Sequence, residues 1–260
     1  MLKISTHKFT TKKKRIIALI THYFLKLFFL PCIFISLFQK KENIPIKKIK
    51  KILVIRFDGI GDLIWSTPAF QALKEIFPQA HIALLAANWS KDLVEVMPTF
   101  DEIIYFDAPW VVKEKPQKIK RLFQIIRNLR KRKFDLVIDL RGDFRNNILM
   151  YLLRIKYRLG YNITGCDFLL THVIPCGESH HSINMGDDLI RYLSPENKKE
   201  YKMFLWFKPE DQEFTDKFLA QNNVNNADLI VVIQPGARWY GRQWITERYA
   251  KVADKLIEKY

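Results

Sequence analysis

The side chain best placed for chemistry is that of Asp62, in the segment KILVIRFDGIGDLIWSTPAFQALKEIFP at positions 51–78. A continuous apolar run precedes it, and Gly59 and Gly61 predict a tight turn between that run and a following helix. A carboxylate at a helix entrance can accept a proton as a general base, or it can cap the helix. The residues alone leave both interpretations open.

Two other constellations suggest chemistry but do not fit a known pattern. A zinc site is suggested by a short window that holds Cys166, His172, Cys176, His180 and His181, but their spacing matches no common structural zinc site. The second constellation, Gly59-Ile60-Gly61, resembles the start of a dinucleotide fingerprint. Its third glycine position is Ile64, and no acidic residue closes the next strand, so we predict neither a metal site nor an oxidoreductase.

The elements that must position Asp62 follow from alternating apolar runs and helical patterns, which predict an α/β fold with a parallel sheet. Predicted strands cover 52–57, 81–86, 102–106, 134–140, 202–207 and 229–233. Predicted helices include one beginning at Pro68 and one whose apolar face is formed by Ile119, Leu122, Phe123, Ile126 and Leu129. Ligands of open α/β sheets bind beyond the carboxyl ends of the strands, and Asp62 falls there.

The polar segment QNNVNNAD at positions 221–228 reads as a linker, after which the pattern of strand, glycine turn and helix begins again. We therefore expect a basic and apolar arm with its linker at 1–50, a Rossmann-like domain at 51–222, and the beginning of a second such domain at 223–260. Two Rossmann-like domains that face each other would form a cleft. The 260 residues are enough for one large domain or two small ones.

The net charge of +16 is concentrated at the N-terminus, because residues 1–51 hold 13 of the 43 Lys and Arg but one of the 27 Asp and Glu. The remainder is only mildly basic, which argues against a nucleic-acid-binding protein. The apolar run at 16–38 has basic residues on both sides, so residues 12–41 are predicted to associate with anionic lipid as a surface or re-entrant anchor. A buried or membrane-crossing helix is the alternative, whereas a cleaved signal peptide lacks its small-residue cleavage site. The three cysteines have no disulfide framework and indicate a reducing compartment.

Three blocks carry a family resemblance: RFDGIGDLIWSTPAFQALKEIFPQA, KFDLVIDLRGDFRNNIL and VVIQPGARWYGRQWITERYAKVADKL. In order and spacing they resemble the ADP-heptose:lipopolysaccharide heptosyltransferases of glycosyltransferase family 9, over about residues 50–260. The resemblance implies a two-domain glycosyltransferase B fold, with the acceptor in the N-terminal domain and the nucleotide-heptose in the C-terminal domain. It also implies a metal-independent reaction with no cofactor, and a chain truncated at its C-terminus, because the segments that hold the nucleoside lie later in the family.

The resemblance assigns roles to individual residues. Asp62 matches the catalytic aspartate of the family, and Arg242 stands where the family commonly has a lysine. A leaving diphosphate needs cations and backbone N–H groups, which the loop around Gly236 supplies. The expected sites are Asp62 for catalysis, Gly236, Arg238 and Arg242 for the donor diphosphate, and Gly61, Arg141, Arg145, His181 and Asn184 for the acceptor. Ordinary ion pairs are the alternative for Arg141 and Arg145, and surface solvation is the alternative for Arg242.

The predicted function is therefore an inverting transfer of heptose from ADP-heptose to a lipid A-linked lipopolysaccharide core acceptor. The expected location is the cytoplasmic face of the inner membrane. Two alternatives remain: a truncated, catalytically inactive remnant that binds the acceptor, and a related transferase that uses another nucleotide sugar.

Overall fold

The computed structural model describes residues 12–28, 43–111, 119–174, 184–225, 228–237 and 240–260. The chain divides into two compact units, Met1–Trp206 and Phe207–Tyr260. The first unit holds the sheet and most of the helices. The second contains two helices joined by extended chain.

The apolar runs of the first unit pair as a single parallel sheet of six strands. The strands are β1 (Lys51–Arg56), β2 (His81–Ala86), β3 (Glu102–Tyr105), β4 (Leu136–Asp139), β5 (Tyr157–Tyr161) and β6 (His172–Ile174). Their order is β3-β2-β1-β4-β5-β6, and every neighbouring pair is parallel. The predicted α/β fold with an open parallel sheet is confirmed.

Nine helices accompany the sheet in the described part of the chain. They are α1 (Lys12–Phe28), α2 (Ile60–Trp65), α3 (Thr67–Ile76), α4 (Lys91–Val94), α5 (Ile119–Lys131), α6 (Phe144–Leu152), α7 (Asn184–Leu193), α8 (Pro209–Gln221) and α9 (Thr246–Lys259). Short 3-10 turns cover Ile46–Lys48, Asn88–Ser90, Asp167–Leu169 and Tyr240–Arg242. No helix among these described residues has both the length and the hydropathy needed to cross a bilayer.

Strand β1 lies at the centre of the sheet and is buried on both faces. Successive strand side chains point to opposite faces, so Ile52 and Val54 enter one core while Leu53 and Ile55 enter the other. Helices α3 and α7 contribute to the first core, and α5 and α6 contribute to the second. The apolar run of β1 is continuous rather than alternating because both of its faces are covered.

Helix α5 packs on a face shifted from the predicted one. Its buried side chains are Ile126 and Leu129, with Leu122 and Ile125 packed beside them. Phe123 is 66% exposed, so its assignment to the packed face was wrong. The helix is strongly amphipathic all the same, as its sequence predicted.

Two predicted strands do not form. Residues 202–207 are extended, but Phe204 N–H donates to Thr67 Oγ1 at 3.0 Å and the Lys202 carbonyl accepts from Gln71 Nε2 at 3.0 Å. Side chains of α3 thus take the hydrogen bonds that a neighbouring strand would have taken. Residues 229–233 join no ladder with the other described residues, and Val232 is 85% exposed.

Candidate functional site

The candidate site lies at the carboxyl ends of β1 and β4, where the loops 57–59 and 140–143 leave the centre of the sheet. Loops at this edge are the usual ligand-binding position in an open α/β sheet. The loops carry acidic and basic side chains close together, and the described contacts connect them into one network. We call residues 56–62 and 139–145 together the carboxyl edge.

Arg56, the last residue of β1, is the buried centre of the carboxyl edge. Its Nη1 lies 3.1 Å from Asp58 Oδ2 and also donates to the Leu140 carbonyl. Its Nη2 donates to the backbone carbonyl of Asp62 at 3.1 Å. One guanidinium therefore ties the end of β1, the start of α2 and the loop after β4 together.

Asp62 is the third residue of the short helix α2, so it lies in the first helical turn and not in the glycine turn that the sequence predicted. Its Oδ2 accepts from the backbone N–H of Gly59 at 3.3 Å, which is the back-bond of a capping box. Within the described residues, Oδ1 accepts no hydrogen bond, and the side chain is half-buried. The capping geometry is therefore present, and one carboxylate oxygen is left for a ligand.

Neither glycine beside Asp62 needs a left-handed backbone. Gly59 has φ −68°, and the described glycines with positive φ are Gly142 and Gly165. Apart from its chain neighbours and the backbone of its own helix, a Cβ built on Gly61 would have no described atom within 4 Å, so the space above its backbone is open. This open space lies next to Asp62.

Asp58 was missed by the sequence reasoning, although it forms the junction between two arginines. Its carboxylate lies 3.1 Å from Arg56 Nη1 and 2.9 Å from Arg141 Nη1. Burial raises the pKa of Asp58, while the charges of the two arginines oppose that rise. Trp89, also missed, donates its indole N–H to the Asp58 backbone carbonyl at 3.2 Å.

Asp143 caps helix α6 and holds Arg145. It accepts the Arg145 backbone N–H at 2.9 Å and the Arg145 Nε–H at 2.7 Å, and a second ion pair forms through Nη2. The pKa of Asp143 is lowered: burial would raise it, but the bonds from Arg145 and the charge of Arg141 outweigh burial. Arg145 also donates to the Trp110 carbonyl at 3.2 Å, so its guanidinium is largely engaged within the protein.

Arg141 is held more loosely than Arg145. Its contacts are the pair with Asp58 and a longer approach of 3.7 Å between its Nε and Asp143 Oδ2. About a third of its side chain is exposed. The ion pairs that sequence reasoning kept as an alternative are thus present for both arginines, and Arg141 is the one that a ligand could recruit with less disruption.

Asp139, at the end of β4, shapes the loop that carries Arg141. It is fully buried, and its two oxygens accept from Gly142 N–H at 2.7 Å and from Asn146 Nδ2 at 2.9 Å. Burial, more than any other cause, raises the pKa of Asp139 to about 6. Gly142 has φ +70°, and a Cβ there would lie 2.7 Å from Ile163 Cδ1, so glycine is required at this position.

The remaining predicted site residues are not joined to the carboxyl edge by the described contacts. His181 and Arg238 lie outside the described residues, and Asn184 is described only as the first residue of α7. Gly236 lies in the extended chain of the second unit, and Arg242 ends the exposed turn Tyr240–Arg242. Of the cysteine and histidine window, Cys166 and His172 are buried in the first unit, and the other three residues lie outside the described ranges.

Comparison with known proteins adds a family. The model of "Glycosyltransferase family 9 (heptosyltransferase)" matches residues 122–260. The chain is 22% identical over 209 residues to the lipopolysaccharide core heptosyltransferase OpsX of Haemophilus influenzae, covering 79% of this chain and 56% of OpsX. It is 26% identical over 237 residues to the lipooligosaccharide heptosyltransferase 2 of Haemophilus ducreyi, covering 80% and 61%. The chain thus spans little more than half the length of these relatives.

Solved structures show the same fold. A family 9 glycosyltransferase from Veillonella parvula matches with a TM-score of 0.68 at 22% identity, covering 80% of this chain and 59% of that one. The ADP-heptose LPS heptosyltransferase II of E. coli matches with a TM-score of 0.60 at 22% identity, covering 80% and 62%.

Proposed function

This chain belongs to glycosyltransferase family 9, and from that premise we propose that it acts in an inverting transfer of heptose from ADP-heptose to a lipid A-linked lipopolysaccharide core acceptor. Its relatives are named as lipopolysaccharide and lipooligosaccharide heptosyltransferases, which supports this substrate class. The observation that carries the proposal is the half-buried carboxylate of Asp62, which has one oxygen open at the carboxyl edge.

Asp62 is the proposed general base. An inverting transfer needs a group that removes the proton of the acceptor hydroxyl while the nucleotide diphosphate leaves from the opposite face of the sugar. The hydrogen bond from Gly59 N–H to Oδ2 fixes the side chain, and Oδ1 faces no competing donor among the described residues. Such a fixed carboxylate can accept a proton without first breaking an ion pair.

The acceptor is proposed to bind over Gly61 and beside Arg141. The proposed lipid A-linked acceptor is anionic. A guanidinium that can exchange its carboxylate partners for a phosphate is therefore suited to bind it. Arg141 fits this role, because losing it still leaves Asp58 paired with Arg56. Arg145 belongs to the same proposed site mainly as a support of Asp143, and His181 and Asn184 remain predicted acceptor contacts.

The donor diphosphate is proposed to bind Gly236, Arg238 and Arg242 in the second unit. Gly236 allows close approach of backbone N–H groups, and the arginines supply charge for the leaving group. The proposed reaction uses ADP-heptose as donor substrate, with neither a metal nor a cofactor. The proposed location is the cytoplasmic face of the inner membrane, reached through residues 12–41, and no nucleic-acid partner is proposed.

The second candidate is an inactive chain that binds the acceptor alone, and the third is a related transferase that uses another nucleotide sugar. One observation favours the second candidate: in the described residues, the apolar run 229–233 of the donor-side unit pairs with no strand and is exposed. Binding of ADP-heptose by this chain, measured by calorimetry, separates the candidates. Tight binding excludes the acceptor-only chain, and tighter binding of another nucleotide sugar favours the third.

The role of Asp62 is tested by Asp62→Asn, measured as transfer of heptose to a lipid A-linked acceptor. Asparagine keeps an oxygen for Gly59 N–H but is not a base, so we expect transfer to fall by about 100-fold or more with little change in stability. The matched control is Asp211→Asn, because Asp211 also stands third in its helix and accepts the Lys208 N–H at 2.9 Å. Transfer that survives Asp62→Asn would remove Asp62 as the base.

A further inference from the structure

Helix α1 packs on the first unit through one narrow face. Ala18 and His22 are fully buried, and Leu25 packs beside them against Phe144 and Leu169. His22 Nδ1 accepts the backbone N–H of Cys166 at 2.8 Å, so the helix has a definite rotation about its own axis.

The opposite face of α1 is apolar and exposed. At 100° per residue, its side chains lie diametrically across the helix from Ala18 and His22. They are Ile16, Ile17, Ile20, Tyr23, Phe24 and Leu27, the most exposed being Phe24 at 69%, Leu27 at 68% and Ile20 at 63%. We call these six side chains the outer face. A surface helix in water normally carries polar side chains there, so an exposed apolar face of this kind marks a binding surface.

The charge of α1 identifies the kind of partner. Its sequence begins with Lys12, Lys13, Lys14 and Arg15, includes Lys26, and contains no acidic residue. An apolar helix face with basic residues beside it suits the interface of an anionic bilayer, where apolar side chains enter the acyl boundary and cations meet the headgroups. A second copy of this chain would bring like charges together, which disfavours pairing through α1.

The surface on which α1 rests adjoins the carboxyl edge. Cys166 and Gly165 follow β5, and the neighbouring Thr164 donates through Oγ1 to the Gly142 carbonyl at 2.9 Å and accepts the Phe144 N–H at 2.6 Å. Gly142 is adjacent to Arg141. The contacts thus lead directly from the buried face of α1 to the loop that carries the proposed acceptor arginine.

We propose that the outer face of α1 docks on an anionic bilayer, and that this docking holds the Arg141 side of the carboxyl edge at the lipid headgroups. The second half of the proposal rests on the proposed function, because a lipid-linked acceptor is what would be found there. The first half is a lipid-binding property that can be measured without any acceptor. Docking through one helix face, with the other face fixed by His22, differs from a span or a flexible tether.

The test is flotation of the full chain with vesicles of phosphatidylethanolamine and phosphatidylglycerol. The triple variant Ile20→Ser, Phe24→Ser, Leu27→Ser is expected to bind at least tenfold more weakly. Phe123→Ser is the matched control, because Phe123 is similarly exposed on α5 and is expected to leave binding unchanged. Alkylation of Cys166, whose thiol is buried beside α1, reports whether the variant helix remains packed. Unchanged vesicle binding by the triple variant, with Cys166 still protected, would overturn the proposal.

Two further measurements test whether protein, rather than lipid, covers the outer face of α1. Phe24→Trp is expected to emit like an exposed indole without vesicles and to shift to shorter wavelength when the anionic vesicles are added. A short-wavelength emission without vesicles, or a dimer by light scattering that Phe24→Ser dissociates, means that protein covers the outer face and contradicts the proposal. Equal binding to phosphatidylcholine vesicles would contradict the role of charge. Acceptor binding measured without vesicles tests the proposed function separately, so either idea can fail alone.

Discussion

Alanine at two glycines of the carboxyl edge should have opposite effects, although the substitution is the same. Gly142 has φ +70°, and an added Cβ would lie 2.7 Å from Ile163 Cδ1. The left-handed backbone costs an alanine about 1–2 kcal/mol, and the crowding adds about 1–3 kcal/mol. We therefore expect Gly142→Ala to lower the free energy of unfolding by about 2–5 kcal/mol.

Gly61 lies in the first turn of α2, and outside that helix and its chain neighbours no described atom lies within 4 Å of an added Cβ. Because alanine favours a helix more than glycine does, we expect Gly61→Ala to raise the free energy of unfolding by as much as ~1 kcal/mol. The same methyl group would occupy the open space above Gly61 through which the acceptor is proposed to approach. Acceptor affinity should therefore fall while stability rises.

The assay combines urea unfolding, followed by circular dichroism, with calorimetric titration of a lipid A-linked acceptor. A Gly142→Ala variant as stable as the wild type would refute the left-handed, crowded backbone described for Gly142. A Gly61→Ala protein that binds the acceptor as tightly as wild type would refute the proposed approach over Gly61. The comparison is informative because a general loss of folding cannot imitate an affinity that falls as stability rises.

Two more predictions concern the charges of the carboxyl edge. Arg141→Ala should weaken acceptor binding and lower the free energy of unfolding by about 1 kcal/mol. Arg145→Ala should lower it by about 2–3 kcal/mol, because this variant deprives buried Asp143 of its main partner. Equal free energies of unfolding for the two variants would contradict the different roles of these arginines. The folded-state pKa of Asp139, about 6, is raised above its unfolded value, so the contribution of Asp139 to stability is full below pH 4 and is lost as pH rises through 6. The stability of wild type relative to Asp139→Asn should therefore increase by about 1 kcal/mol between pH 7 and pH 5, and a flat difference would contradict the burial effect.

The central strands were predictable because their environment is uniform. Strands β1, β2 and β4 are buried on both faces, and that burial produces the continuous apolar runs that sequence analysis detects. Strand β5 was missed because Arg158 and Gly160 interrupt its run. The structure accommodates Arg158 by bonds from Nε to the Leu169 carbonyl at 2.8 Å and from Nη1 to the Ile155 carbonyl at 2.6 Å. Both partners are backbone carbonyls, which every residue carries, so the residue types near Arg158 do not indicate them.

The ion-pair network of the carboxyl edge was only partly predictable. The sequence singled out Asp62, Arg141 and Arg145, each of which follows a recognisable strand and turn. Arg56 and Asp58 were passed over, although an arginine that ends an apolar strand carries a usable signal. A buried guanidinium must find acceptors, so such an arginine predicts carboxylates or free carbonyls nearby. Which carboxylate the guanidinium contacts depends on the pairing of β1 with β4, which belongs to the tertiary structure.

The N-terminal arm shows the same limit. Its run at 16–38 is largely apolar, so periodicity does not separate a face that packs on protein from a face that meets lipid. The structure separates them through His22, a polar residue within that run that is buried against residues that follow β5. Its ring is the acceptor for Cys166 N–H, and burial, the largest effect on its pKa, lowers that pKa and favours the neutral form needed for this bond.

Capping and catalysis by Asp62 began as competing interpretations, but the geometry makes them compatible. The capping bond uses Oδ2 and leaves Oδ1 without a hydrogen-bond donor among the described residues. A base must be held in a fixed position to be effective, so the cap supplies the positioning that the proposed base requires. Asparagine is therefore the informative substitution at this position, because it preserves the cap and removes only the ability to take a proton.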